Sequence, residues 1–556
     1  MNSATDFTVR KPPAVPKASL IRLCNLGAIC VLAAGLFLLL TNGIPLVGDP
    51  LSKKVCVKIS RFATLGLFGF FSLWAWTFPR TFKELWAVRL IERACQHSLK
   101  SLIFFLFVFY AFSTSAVGFM RHWALETRAF DLGIFAQAVW NTLQGDFEYS
   151  SIKGGINLLG DHVSPILALL APFYGLWPNP QNLILIQTVA SAACLFPIAY
   201  LAHDKLRDSW ITLIFALMYF IYYPTRAALH EDFHPEVLAE PFLLAAFIFL
   251  ERKRMGLFLL SLLVAVATKE NMLGISFALG VYALLFQRRW GLGVVLMIGS
   301  LGLFFLDIYG VIPYFSGKPY LYQGNYVHLF SDGAFGFAKV LFSLDNLEYF
   351  LKVYLPFLFF PFFHLPTLIL TLPVLFQNLL SVNEAMHSFN YHYLTGLTPF
   401  AFVACIYGFH ALCRNFAWVH DRKRGLAVLL LFVALLRSGP AEYFYFADSR
   451  SHLTPHREMI RQELKGIPAD ASVLTHNAFI PQMINRREIY QFDYHAVPTK
   501  GESAAALSAD YVIFDREFWE PNALPIEDTF QELLSLHYAR IYERDGFYIY
   551  KKADLF

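Results

Sequence analysis

The run from His230 to Glu236 reads His-Glu-Asp-Phe-His-Pro-Glu, which places two imidazoles and three carboxylates within seven positions. Nitrogen and oxygen donors of this kind suit a divalent transition metal or contact with a phosphate. Pro235 disfavours the α conformation at His234, so a shared helical face for His230 and His234 is not assumed. Glu240 follows at the start of an apolar run, where a lipid-facing carboxylate would be costly, so it points to a polar cavity.

Four further groups have the same character. Asp131 opens a segment, 128–145, in which Leu132, Phe135, Val139 and Leu143 recur at helical spacing. The segment is expected to be an amphipathic helix on the membrane surface, with Asp131 either capping it or serving as a general base. Gly160-Asp161-His162 sets a carboxylate beside an imidazole, and Lys269-Glu270-Asn271 interrupts an apolar stretch. A lysine there can neutralise a phosphate as a point charge. Between 383 and 393 lie Glu384, His387 and His392. The candidate metal ligands are therefore His230, His234, Asp232, Asp161 and His162, and the candidate phosphate-binding residues are Lys269, Glu270 and Arg226.

The elements that position these groups are membrane spans. Of the 556 residues, 56% are hydrophobic and 15% charged. Many segments of about 17 to 23 residues can cross a hydrocarbon core of about 30 Å as helices. Apolar faces all round, as at 101–120 and 291–306, exclude the alternation of a barrel. Spans are expected near 19–41, 60–78, 99–120, 182–202, 209–224, 237–251, 255–269, 271–287, 290–313, 347–364, 366–382, 393–413 and 425–438. The run 163–177 carries two prolines and is read as interfacial or re-entrant.

Lysine and arginine collect at alternate connections: the N-terminus, 80–100, 205–207, 252–254, 288–289 and 414–424. The positive-inside rule puts these in the cytoplasm, although Lys53, Lys54 and Lys58 fall in a loop assigned to the outside. The N-terminus is then inside and the C-terminus outside, and every candidate group falls at an outer helix end. The first apolar run, after Arg10, Lys11, Lys17 and Arg22, reads as a retained signal anchor. The seven cysteines suggest neither a disulfide framework nor a zinc knuckle. The net charge of +4 is spread over short loops and implies no nucleic-acid partner. No Gly-rich phosphate loop, kinase signature or H-E-x-x-H is present, which argues against nucleotide-driven chemistry.

After about residue 441 charged residues become frequent and apolar runs short. Strands are expected at 471–475, 488–492, 511–515 and 546–551, and a helix at 526–538. The fold class is thus an all-α polytopic membrane protein of about thirteen transmembrane helices with a small C-terminal α/β domain. Its parts are a two-span extension (1–98), a transmembrane domain (99–440) with an outer loop (121–181), and an extracytoplasmic domain (441–556).

Phe130-Asp-Leu-Gly-Ile-Phe-Ala-Gln137, Gly160-Asp-His162, Asp232-Phe-His-Pro-Glu236 and Lys269-Glu-Asn271 resemble a bacterial membrane family known as domain of unknown function 2079. At fold level that family looks like the GT-C glycosyltransferases, which use polyprenyl-phosphate sugars. The resemblance implies that Asp131 is the loop acid acting as base toward the acceptor, while a metal ion or basic residues hold the donor phosphate. It implies a membrane-embedded enzyme acting on a lipid-phosphate-linked sugar at the outer face of the cytoplasmic membrane. The rival expectation is a transporter or flippase, whose charged groups would line a pathway.

Overall fold

The computed structural model of the chain describes residues 86–330, 333–438, 448–492, 509–518 and 537–553. Among the described residues, four helices are long and apolar enough to cross a membrane: Ser98–Trp123, Gln181–Leu206, Ser209–His230 and Trp290–Ser316. Their outward faces are hydrocarbon. Phe105 is 68% exposed and Ile298 67% exposed, a surface that lipid chains tolerate and water does not.

Helices also occupy other expected spans: Ala239–Glu251, Met255–Val266, Met272–Leu285, Thr398–Asn415 and Lys423–Ser438. The spans expected at 19–41 and 60–78, and with them nearly all of the 1–98 extension, lie outside the described residues. Met272–Leu285 and Trp290–Leu306 approach so closely that a side chain on Gly280 would meet the Gly293 carbonyl at 2.9 Å. Ser300 donates to Ser276 across the same seam at 2.8 Å. Small residues at the contact let membrane helices gain dispersion energy where no hydrophobic effect drives them together.

The expected span 347–364 is broken. A helix over Leu344–Tyr354 gives way to tight turns at Leu355–Phe357 and Phe360–Phe363, with Leu358 and Phe359 at positive φ. Pro356 and Pro361 each remove a backbone donor, so a continuous ladder is not available. The irregular backbone is buried against Thr398–Asn415, as irregular structure at membrane depth must be.

The expectation for 128–145 also needs correction. The regular helix is Ile134–Leu143, and residues 128–133 form a wide turn in which Phe130 and Asp131 leave helical conformation. The helix does not lie on the surface with a wet face. Leu132 and Val139 are buried, and so are Gln137 and Asn141 on the other side. The Gln137 amide donates to the Ser151 hydroxyl (2.9 Å) and to the carbonyls of Arg486 (3.2 Å) and Arg487 (2.9 Å). Its carbonyl accepts from Ser150 Oγ at 3.0 Å and from the Ser151 N–H at 3.1 Å. The polar face thus finds its partners in residues 149–151 of the loop and in the C-terminal sheet domain rather than in water. Gln137→Ala leaves these buried groups short of partners and is expected to cost about 1–3 kcal/mol. Thermal denaturation of the purified protein in detergent reads this; an unchanged transition would count against the clamp.

Short strands β1 (Tyr149–Ser150) and β2 (Ile156–Asn157) pair antiparallel within the loop. The C-terminal domain is a five-stranded sheet of β3 (Val473–Thr475), β4 (Ile489–Gln491), β5 (Tyr511–Asp515), β6 (Tyr538–Arg544) and β7 (Phe547–Lys552), in the order β4-β3-β5-β7-β6. β4, β3 and β5 run parallel, and β5, β7 and β6 antiparallel. Each of the four expected strands coincides with one of these to within two residues at either end. β6 begins at Tyr538, where the helix expected at 526–538 would have ended; residues 519–536 lie outside the described residues. As an edge strand β6 buries little beyond Tyr538, so it lacks the apolar run that marks β5. Ile489, Ile513 and Phe547 of the sheet and Ile480 of the turn Ile480–Met483 pack with Leu132, Val139, Ile152 and Leu167 of the loop in a single apolar cluster. The sheet domain therefore holds the segment that carries Asp131.

Candidate functional site

The acidic and histidine residues gather at one end of the helices. Arg121 ends Ser98–Trp123, residues 231–234 follow the helix that closes at His230, and Lys269 and Glu270 form the turn before Met272–Leu285. His392 lies in the turn that precedes Thr398–Asn415. The other end is basic: Arg252 pairs with Asp204 at 2.7 Å and Arg424 with Asp208 at 2.9 Å.

At the centre, His234 Nε2 lies 3.4 Å from Asp131 Oδ1, and its ring stacks on that of His392 with centroids 3.7 Å apart. His392 Nδ1 is 2.9 Å from Glu231 Oε2, and its Nε2 is 3.3 Å from Glu236 Oε1. Glu236 Oε1 also accepts from Lys269 Nζ at 2.9 Å. Beside this chain, His162 Nδ1 is 2.8 Å from Glu270 Oε1, which also accepts from Tyr320 Oη at 3.1 Å. The His162 ring stacks on Tyr322 at 4.7 Å.

Burial by itself would raise the Asp131 carboxyl; the positive field and hydrogen bond of His234 outweigh it, and the group titrates below its ordinary value. Burial likewise works against the His234 imidazolium, yet Asp131, then Glu231 and Glu236, push it up to about 9. Glu236 would be raised by its burial and is instead held well below the carboxylate range by Lys269, then His392 and His234. Lys269 in turn is raised above its ordinary value, because the fields of Glu236 and Glu270 exceed the effect of burial. Asp131 differs from its partners in access: its side chain is 40% exposed, whereas that of His234 is 2% exposed.

Both acidic turns are strained. Asp131 has φ 74° and Asp232 φ 95°, conformations that cost a non-glycine residue about 1–3 kcal/mol and persist only when their surroundings enforce them. Those surroundings are visible. Asp232 accepts from the Arg128 N–H at 2.8 Å and from Arg121 Nη1 at 3.3 Å, and its carbonyl accepts from Gln187 Nε2 at 2.6 Å. The Ala129 N–H donates to the Asn477 carbonyl at 3.1 Å and to its side-chain oxygen at 2.5 Å. Asp131 makes no cap on the helix that follows it.

Of the residues chosen from sequence, Asp131, His234 and Lys269 share this cluster, with Glu270 and His162 alongside. Asp161 takes Lys153 at 3.0 Å and Tyr322 at 3.4 Å. Asp232 faces Arg121 instead of the histidines. Arg226 and His230 stay within the span Ser209–His230: the Arg226 guanidinium lies over the rings of Phe220 (4.9 Å) and Tyr110 (5.4 Å), and the His230 carbonyl accepts from Arg121. His387 is engaged with the Asn378 carbonyl at 2.7 Å. Among the donors expected for a metal, only His234 belongs to the group that converges there, Glu231, His234 and His392, whose ligand atoms lie within 4.8 Å of one another. The kink at Asp232 breaks the even spacing of 230–236, so neighbours in sequence face different partners. Arg121, Gln187, Tyr320, Tyr322 and Asn477 carry no signal in sequence, since each is an ordinary helix-end or loop residue until the fold brings it in.

The cluster thus offers an accessible ionised carboxylate backed by a buried imidazole, with a half-buried lysine reached through His392 and Glu236. Among solved structures, ArnT from Cupriavidus metallidurans in the apo state is similar over 80% of this chain and 97% of that one, at 12% identity and TM-score 0.46. The same protein bound to undecaprenyl phosphate gives the same coverage, 13% identity and TM-score 0.44. No curated protein matches the sequence. Residues 121–549, well over half of the chain, match the family described as predicted membrane protein (DUF2079), and the chain belongs to that family.

Proposed function

We propose that the protein is a membrane glycosyltransferase that moves a sugar from a polyprenyl-phosphate donor to an acceptor hydroxyl at the extracytoplasmic face. The observation that carries this reading is Asp131: an ionised, accessible carboxylate held in a strained turn beside a buried histidine, at the helix end opposite the basic connections. The basic end is the cytoplasmic one by the positive-inside rule, so the site and the sheet domain lie outside.

In this reaction the acceptor oxygen attacks the anomeric carbon, and its proton goes to the Asp131 carboxylate. The bond from the anomeric carbon to the phosphate oxygen breaks, and the polyprenyl phosphate leaves with the electron pair. Lys269 and the His234 imidazolium supply positive charge where the leaving phosphate gains negative charge. A base must be deprotonated before it acts, and the lowered Asp131 carboxyl meets that requirement.

The test is incorporation of labelled sugar by the purified protein in nanodiscs, from a panel of polyprenyl-phosphate sugars, with an envelope extract as the acceptor source. Transfer above that of empty nanodiscs supports the reading. A protein that remains folded and transfers no sugar from any donor would overturn it.

A further inference from the structure

The motif Gly160-Asp-His162 has no role in the transfer described above, and the structure gives it a setting of its own. Asp161 Oδ2 lies 3.0 Å from Nζ of Lys153, in the turn between β1 and β2, and its Oδ1 accepts from Tyr322 Oη at 3.4 Å. The side chains of Lys153 and Asp161 are 14% and 16% exposed, so both are largely screened from water yet within reach of a ligand. The Tyr322 ring stacks on that of His162, with centroids 4.7 Å apart and planes 13° from parallel. Gly160 makes this approach possible. A side chain there would meet the Ser316 nitrogen at 2.7 Å and the Phe315 carbonyl carbon at 2.8 Å, so only glycine lets the loop lie against the end of Trp290–Ser316, from which Tyr322 follows.

This group stands between the two parts of the transfer machinery. Lys153 Nζ is 6.0 Å from the centre of the Phe130 ring, and Phe130 precedes Asp131 in the strained turn. At the other end His162 Nδ1 is 2.8 Å from Glu270, the neighbour of Lys269, and the Tyr322 hydroxyl lies within the fields of Lys269 and Tyr393. Tyr393 in turn lies within the field of Asp131. A sugar that passes from a phosphate near Lys269 to an acceptor near Asp131 has its ring in this interval.

With an ammonium on Asp161 and Glu270 on His162, the two residues expected from sequence to ligate a metal have other partners. Lys153 and Asp161 neutralise each other and still have bonding capacity to spare, since an ammonium carries three donors and a carboxylate several lone pairs. An anion brought to the pair meets Asp161 and a cation meets Lys153, each beside a like charge at a cost that a partly buried site screens poorly. A neutral group that both donates and accepts hydrogen bonds meets no such cost, and adjacent hydroxyls on a sugar ring are such a group. Tyr322 adds a partly exposed aromatic ring, whose face suits the C–H side of a sugar. We propose that Lys153, Asp161 and Tyr322 form the subsite for the sugar ring of the donor, and that they select an uncharged sugar with two adjacent free hydroxyls over an amino sugar or a uronate.

The subsite rests on the proposed transfer, but its test reads binding and not activity. Full-length protein in nanodiscs is titrated by saturation-transfer NMR with methyl glucoside, mannoside and galactoside, their amino-deoxy counterparts and their uronates. At least one neutral glycoside should bind about 10-fold or more tightly than its charged counterparts and than its analogue lacking one of the two hydroxyls. The corresponding sugar 1-phosphate should displace it, as a donor subsite requires. Lys153→Met leaves Asp161 uncompensated and should shift the preference toward the amino sugar, whereas Asp161→Asn leaves Lys153 uncompensated and should shift it toward the uronate. Opposite shifts separate recognition from a structural role, because a loosened loop weakens all three ligands alike. No neutral glycoside bound above empty nanodiscs, equal binding of the charged counterparts, a glycoside that the sugar 1-phosphate does not displace, or variants that keep the wild-type order of preference would each overturn the inference. Glycoside bound in this way without any sugar transfer would leave the subsite standing and remove the proposed activity, and transfer from charged-sugar donors alone would do the reverse.

Discussion

Asp131→Asn is expected to lower the rate of sugar transfer by about 10²- to 10⁴-fold, the usual weight of a positioned acid–base group. Asparagine has the shape of aspartate and tolerates positive φ better than most residues, so the turn with φ 74° persists. Its side-chain oxygen can still face His234 Nε2, and the contact at 3.4 Å need not be lost. What disappears is the basic oxygen that takes the acceptor proton. The change should therefore appear in kcat, with the KM for the polyprenyl-phosphate donor nearly unchanged, because Lys269 and Glu236 keep their contact at 2.9 Å. An Asp131→Asn protein that turns over within about threefold of wild type, well short of that range, would remove Asp131 from the reaction.

Gly408→Ala is expected to be the most disruptive small substitution in the membrane core. Gly408 lies within Thr398–Asn415, where that helix crosses the broken segment at Phe360. A methyl group built there would stand 1.8 Å from the Phe360 carbonyl oxygen and 2.7 Å from its carbon. Both atoms are backbone, held in a turn flanked by Phe359 at φ 55° and by Pro361, so neither can swing aside as a side chain would. Overpacking of this kind costs about 3 kcal/mol or more. Gly299, in Trp290–Leu306, has nothing within 4 Å of the same added atom and is the matched control. The measurement is the thermal transition in detergent together with the yield of monodisperse protein. Gly408→Ala should lose both, and Gly299→Ala neither. Equal stability of the two variants would mean that the helix and the turn are not in close contact.

The contrast between these positions shows where sequence reasoning stops. Asp131 stands out in the chain as an acid ahead of a helical apolar pattern, but what it does is set by His234, about a hundred residues later, and by Asn477 in the sheet domain. His392 groups in sequence with Glu384 and His387, yet its ring lies on that of His234. Arg226 looks like part of the same loop as His234 and is folded away over Tyr110 and Phe220. In the same way Gln137 gives no sign of its five contacts to Ser150, Ser151, Arg486 and Arg487.

Sequence alone determined the membrane class, the approximate positions of most of the described spans, the strands β3, β4, β5 and β7, and the segregation of acidic and histidine residues from basic ones. Hydropathy and periodicity are properties of consecutive residues, and burial in lipid or in a sheet acts on consecutive residues. Only the tertiary structure decided which histidine meets which carboxylate, that the Asp131 turn is pinned by the C-terminal domain, and that the segment after Tyr354 breaks against Gly408. Those outcomes depend on side chains distant in sequence sharing a few ångströms of space, and a hydrogen bond or steric clash is set by distance and angle, which spacing along a chain does not encode.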